Sequence, residues 1–367
     1  MNKMYEQTAI NGMILANRFV RSATWEGMAA NDGAVTPKLI ETMANLARGG
    51  VGLIITSHTY VQPEGQAGPM QLGIYKDEFI PGLQEMTRAV HDCGGKIVMQ
   101  LAHAGRFAPG KLTGLTPLVV SEVPGKPYHE ITEEDIEALA AAFAAGASRA
   151  KAAGFDGVQL HSGHGYLLSQ FLSPVFNRRQ DEYGGDIQNR ARVHIKVYKA
   201  IREAVGETYP ILIKLNCSDF ADNGLTLHDS LQVGRMLADL GLDAIELTGG
   251  LLTSSNLSPS RFGIKVEEDE AYFSEEARQF KSAIGIPLIL VGGMRSFQVA
   301  ERLVEAGVAD YISMSRPLIR EPNLVNRWKS GDYSRAECVS CNGCFKAAIS
   351  GNGVYCEVKT KQSQQGQ

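Results

Sequence analysis

Eight short apolar runs, most of them rich in β-branched residues, recur along this chain of 367 residues. They lie at 18–22, 52–56, 96–101, 157–160, 211–215, 244–247, 288–291 and 311–314. Their apolarity is continuous rather than alternating, which suits parallel strands buried on both faces. Helical patterns follow most of them. Thr132-Glu133-Glu134-Asp135 reads as a capping-box start with acids at the positive helix end, opening an alanine-rich stretch at 138–153 that Gly154 stops. The stretches 227–240 and 296–306 stop in the same way at Gly241 and Gly307. Strand–helix alternation repeated eight times predicts an α/β chain with a single (β/α)8 barrel of the TIM type rather than an open sheet. The turn-rich stretches 107–129 and 251–272 follow strands, so they are expected as long βα loops over the active face.

Composition narrows the function classes. Hydrophobic residues at 44% and charged residues at 21% are those of a soluble globular protein. A net charge of −4 gives no electrostatic reason for a nucleic acid or an anionic membrane as partner. The start, Met1-Asn2-Lys3-Met4-Tyr5-Glu6, lacks an apolar signal core, and no run reaches membrane-spanning length, so a cytoplasmic location is expected.

The chemistry concentrates where strands should end. His161-Ser162-Gly163-His164-Gly165-Tyr166 follows the run at 157–160 and places two imidazoles and a phenol at one strand end. His161 and His164 can both hydrogen-bond one electron-poor oxygen, and Tyr166 can supply a proton nearby. Gln100 ends the third run, where a carboxamide suits a planar heterocycle or a backbone-satisfied core position. Lys214 ends the fifth and is costly to bury unpaired. A bound anion, an electron-rich ring nitrogen, or a salt bridge with Glu246 or Asp219 would compensate it. Gly292-Gly293 and Ser315-Arg316 close the last two runs, where barrels commonly bind phosphate, although two glycines also make a tight strand–helix turn. Gly105-Arg106-Phe107-Ala108-Pro109-Gly110-Lys111 has phosphate-loop spacing, but Leu112 stands where Ser or Thr is required. No Gly-x-Gly-x-x-Gly opens a helix after a strand, so a separate dinucleotide-binding domain is not expected.

Gln100, His161, His164, Tyr166, Lys214, Gly292-Gly293 and Arg316 together resemble the Old Yellow Enzyme family of FMN-dependent ene-reductases. Asn17-Arg18-Phe19-Val20, Gln100-Leu101-Ala102-His103-Ala104-Gly105-Arg106 and Tyr166-Leu167-Leu168-Ser169-Gln170-Phe171-Leu172-Ser173-Pro174 extend the likeness, as do Asn177-Arg178, Asp181-Glu182-Tyr183-Gly184-Gly185 and Asn189-Arg190. It runs in order along nearly the whole barrel. The resemblance implies FMN over the strand ends, with its phosphate at Gly293, Ser315 and Arg316, its pyrimidine at Gln100, and Lys214 beside its N1–C2=O edge. The implied flavin-contacting set is Ser22, Ala23, Thr24, His58, Gln100, Lys214, Gly292, Gly293, Met314, Ser315 and Arg316. NADH or NADPH would reduce the flavin. His161 and His164 would polarise an activated alkene (an enone, enal or nitroalkene), and Tyr166 would protonate its α-carbon. Ser22-Ala23-Thr24-Trp25-Glu26 departs from the family, with Thr24 or Trp25 where a Thr or Cys tunes the flavin. His58 stands where a small residue is frequent, so it narrows the site or faces elsewhere.

Cys93 and Cys217 stand alone in core-like segments and read as inert buried thiols. Cys338, Cys341, Cys344 and Cys356 crowd the C-terminus, with two, two and eleven residues between them. This resembles the cluster-binding tail of the 2,4-dienoyl-CoA reductase and trimethylamine dehydrogenase branch, which usually has three residues in the second interval. Four thiolates so spaced can hold a [4Fe–4S] cluster or zinc, or stay unligated. That branch continues into a dinucleotide-binding half, so a cluster here implies a separate electron-transfer protein or a structural relic. The expected organisation is an FMN-binding barrel over 1–335, a Cys-rich extension over 336–358 and a disordered tail over 359–367. Relatives are often homo-oligomers. The alternatives to an NAD(P)H-driven ene-reductase are an FMN/iron–sulfur electron-transfer subunit or dehydrogenase, and a flavin redox sensor.

Overall fold

All eight apolar runs become strands in the computed structural model, which describes residues 2–254 and 257–365. They are Phe19–Arg21 (β1), Leu53–Tyr60 (β2), Ile97–Ala102 (β3), Gly157–Ser162 (β4), Ile211–Asn216 (β5), Ala244–Thr248 (β6), Leu288–Val291 (β7) and Tyr311–Met314 (β8). Every strand pairs in parallel with the next, and β8 returns to β1, so the sheet closes into a barrel. Closure removes both sheet edges. β2 runs further than expected because Ser57, His58 and Thr59 continue it, and the register with β3 shifts between Ile55 and His58. Such a bulge re-aims side chains near a barrel rim.

Helices follow the strands in turn: Pro37–Arg48, Ile80–His91, Glu133–Ala152, Arg192–Val205, Leu227–Asp239, Ser274–Ala283, Phe297–Glu305 and Leu324–Lys329. The Thr132–Asp135 capping box is formed and starts its helix at Glu133. Leu39, Met43, Leu83, Met86 and Phe143 on these helices are buried against the outer faces of the strands. Inside the barrel, Val20, Ile55, Val98, Leu212, Ala244, Ile289 and Tyr311 form a separate cluster with Ile10, Met13 and Leu15. Those last three belong to the antiparallel hairpin Thr8–Ile10 and Met13–Leu15, which plugs the end of the barrel where the strands begin. Burying each such side chain contributes about 1.5–3 kcal/mol. The opposite mouth is left for function.

The two expected long loops carry little regular structure. The loop after β3 holds a short helix, Gly110–Thr113, and the paired strands Leu118–Val119 and His129–Glu130. The loop after β6 contains one 3₁₀ turn, Glu267–Asp269, and its residues 255 and 256 lie outside the described residues. Beyond the barrel come the helices Gly343–Ile349 and Glu357–Gln365. The expected disorder over 359–367 is therefore corrected through residue 365. The last helix is tied to the barrel: Lys359 Nζ donates to the Arg320 carbonyl, and Arg320 Nη2 donates to Gln362 Oε1 at 2.8 Å. Among the described residues no helix is long and apolar enough to cross a membrane.

Candidate active site

Strand register alone assembles most of the site. Across β2, β3 and β4, His58, Gln100 and Gln159 are neighbours in one row. Across β4, β5 and β6, His161, Lys214 and Glu246 are neighbours in another. Both rows lie towards the C-terminal ends of the strands, below a cavity of about 420 Å³, a size typical of small-molecule sites. Ser22, Ala23, Thr24, His58, Gln100, His161, His164, Tyr166, Lys214, Gly292, Gly293, Met314, Ser315 and Arg316 all line it. The structure thus brings together every residue singled out for catalysis or flavin contact.

A polar network underlies the cavity. Lys214 Nζ is 3.0 Å from Glu246 Oε1 and donates to Ser22 Oγ at 2.8 Å. Ser22 and Ser313 donate to the same carboxylate at 2.7 and 2.8 Å, and Gln159 Nε2 donates to its other oxygen at 3.0 Å. Gln159 in turn accepts from Gln100 Nε2 at 2.7 Å. Burial alone would raise the Glu246 carboxyl, but the Lys214 charge and these donors hold it below the usual range. Glu246 is therefore anionic and Lys214 has its counter-ion. Sequence named Glu246 only as one possible partner, although a charge inside the apolar run 244–247 is the same signal that drew attention to Lys214.

The imidazole cluster is neutral. Burial lowers His161 well below its ordinary value, with help from His164, His58 and Lys214. His164 is lowered by burial, then by Lys214 and His58. His161 Nδ1 is buried without a partner, whereas His164 Nε2 pairs with Thr248 Oγ1 at 2.9 Å. His164 sits at φ 64°, followed by Gly165 at φ 88°. That left-handed pair turns the chain over the barrel mouth, where the His164 amide donates to Asn216 Oδ1 at 3.1 Å. Tyr166 then starts the helix Leu167–Leu172, its ring 4.8 Å from that of His161. Burial raises its phenol above the ordinary value, so it stays protonated. His58 Nε2 lies 3.1 Å from the Tyr166 hydroxyl.

At the far end, Gly292 and Gly293 adopt φ of 142° and 73°. A Cβ on Gly293 would approach the Tyr272 ring to 2.9 Å, so the turn itself requires glycine while its backbone faces the cavity. Arg316 is buried, and its Nη1 donates to the Arg261 carbonyl at 2.8 Å and to Asn342 Oδ1 at 2.7 Å. Asn342 Nδ2 donates to the Ser260 carbonyl at 2.9 Å. Asn342 and Phe345 belong to the cysteine-rich extension, yet both line the cavity. Trp25 does too, packing with Cys344 and Ala348. Thr24 Oγ1 is occupied by Ser315 Oγ at 2.7 Å. Sequence missed Thr248, Tyr272, Asn342 and Phe345, whose residue types carry no signal outside the fold.

The four cysteines of the extension differ in exposure. Cys338 and Cys344 are buried, Cys356 is half-buried and Cys341 is exposed. Among the described residues no three His, Cys, Asp or Glu side chains gather as a metal-binding group. The helix Gly343–Ile349 begins directly after Asn342, with Cys344 turned inward and Cys341 outside.

Residues 3–335 match the family described as NADH:flavin oxidoreductase / NADH oxidase. The chain belongs to that family. The NADH oxidase of Thermoanaerobacter brockii is 36% identical over 97% of this chain and 58% of its own length. The complex of 2-naphthoyl-CoA reductase with 2-naphthoyl-CoA superposes with a TM-score of 0.90 at 27% identity, over 97% of this chain and 56% of that one. The old yellow enzyme homologue of Zymomonas mobilis gives 0.77 at 27% identity, over 90% of this chain and 93% of that one. The chain thus spans a little over half the length of the first two. The donor set also fits FMN on its own terms: Gln100 and buried Lys214 suit a polar ring edge, while the Gly292-Gly293 backbone, Ser315 and Arg316 suit a phosphate.

Proposed function

We propose that this chain, with FMN bound, reduces activated C=C bonds of enones, enals or nitroalkenes at the expense of NADH or NADPH. When bound, FMN would supply the hydride chemistry that links the nicotinamide to the substrate β-carbon. Gln100 and Lys214 would hold its ring edge, and Gly293, Ser315 and Arg316 its phosphate. Lys214 favours negative charge at that edge. Neutral His161 and His164 donate hydrogen bonds to the substrate oxygen, drawing electron density from the alkene. Tyr166 supplies the proton to the α-carbon from the other side of the substrate.

One observation carries this reading over other flavin chemistry. The described residues lining the cavity include three imidazoles, two phenols, Lys214 and Arg316, but no Asp or Glu. A cationic amine would meet no counter-charge there, and burying it unpaired is costly. An oxygen that gathers negative charge meets donors instead.

Single-turnover kinetics on the FMN-loaded protein test it. Tyr166→Phe should leave flavin reduction by NADPH unchanged and slow reoxidation by 2-cyclohexen-1-one about 10²-fold or more, the usual worth of a positioned acid. Reoxidation at the wild-type rate would remove Tyr166 from its role.

A further inference from the structure

His58 is not spent on lining the cavity. The β2 bulge presents it to the mouth, where its ring meets the Tyr166 ring edge-on at 5.3 Å. Its protonation pattern follows from the neighbour on its other side. Gln71, itself buried, accepts from the Ala67 and Gly68 amides with Oε1, at 2.6 and 3.3 Å. That fixes its Nε2 towards His58, where it donates to the carbonyl at 2.6 Å and lies 3.4 Å from Nδ1. An N–H facing Nδ1 makes Nδ1 the acceptor nitrogen, so the imidazole proton resides on Nε2. Burial, only partly opposed by the hydrogen bond to the His58 backbone, depresses this imidazole to about 4, so it is neutral near pH 7.

We propose that His58, oriented by Gln71, is a positioning residue that donates from Nε2 to the Tyr166 oxygen, leaving the phenolic proton free for substrate and stabilising the phenolate left behind. The proposal rests on Tyr166 being the proton donor. In that step the Tyr166 O–H bond breaks, a C–H bond forms at the α-carbon, and solvent later restores the proton. Were the imidazole to accept instead, the phenolic proton would be held in the wall of the site. The titratable groups facing Tyr166 are His58 and His161, with His164 and Lys214 behind them.

The test compares His58→Phe, which fills space without a donor, with His58→Gln, which restores an N–H. Each is measured alone and with Tyr166→Phe, on FMN-loaded protein reoxidised by 2-cyclohexen-1-one. His58→Phe should slow reoxidation about 10²-fold, as loss of a donor to developing charge does. It should slow reoxidation far more than reduction by NADPH and move the alkaline limb of the reoxidation profile upward, because the phenolate has lost a donor. His58→Gln should recover most of the rate. In the Tyr166→Phe background His58→Phe should add nothing. Equal slowing of both half-reactions, no shift of the alkaline limb, or additive losses in the double variant would overturn the proposal. A Tyr166→Phe protein that reoxidises normally would instead overturn the proton-donor reading beneath it.

Discussion

Lys214 and Glu246 show how one buried charge can serve both stability and chemistry. The ammonium would be a liability in an apolar strand without the carboxylate beside it, and the carboxylate is held by three further donors. Removing one partner strands the other. Lys214→Met should therefore cost about 3–5 kcal/mol, read as a lower urea midpoint. Glu246→Gln should keep much of the packing while leaving Lys214 uncompensated. Its excess positive charge should stabilise the reduced, anionic cofactor, raising the flavin midpoint potential in a dye-equilibration titration. An unchanged or lower potential would mean that the pair is structural only. Both residues are visible in sequence as charges interrupting apolar runs. Their pairing is not, because it depends on β5 and β6 lying in register.

At the scale of elements, the barrel strands are legible because burial on both faces leaves continuous apolar runs, and loops are legible where turn residues cluster. The polar continuation of β2 through Ser57, His58 and Thr59 hides its end, since a bulge inside a site follows no apolar pattern. The role of the cysteine-rich extension is hidden for another reason. Asn342 reaches Arg316 and Ser260 across 26 and 82 residues of chain, contacts no local pattern encodes. Its φ of 56° also suits Asn better than most residues. Asn342→Ala should therefore weaken FMN binding roughly tenfold, through loss of a charge-assisted bond that orders Arg316. FMN fluorescence quenching reads this, and an unchanged affinity would detach the extension from the site. The final helix was illegible because its residues are nearly all polar. Its docking rests on Arg320 rather than on an apolar face.

For the whole molecule, buried neutral imidazoles set the response to acid. Burial depresses His58 to about 4 and His103 and His194 to about 3, and lowers His161 and His164 well below 6.5. Between pH 6.5 and about 4 the unfolded chain binds protons that the native protein refuses. Stability is thus full above pH 6.5 and falls as pH drops, by about 1.4 kcal/mol per pH unit for each such histidine within its window. Urea midpoints at pH 7, 6 and 5 should decline accordingly, and a flat series would contradict the assigned neutrality. The chemistry these imidazoles surround is tested most directly by isotope placement. FMN-loaded protein turning over unlabelled NADPH and 2-cyclohexen-1-one in D2O should give cyclohexanone with one deuterium on the α-carbon and none on the β-carbon. No reduction of the enone, or solvent deuterium on the β-carbon, would contradict a site that adds hydride from the cofactor and a proton from Tyr166.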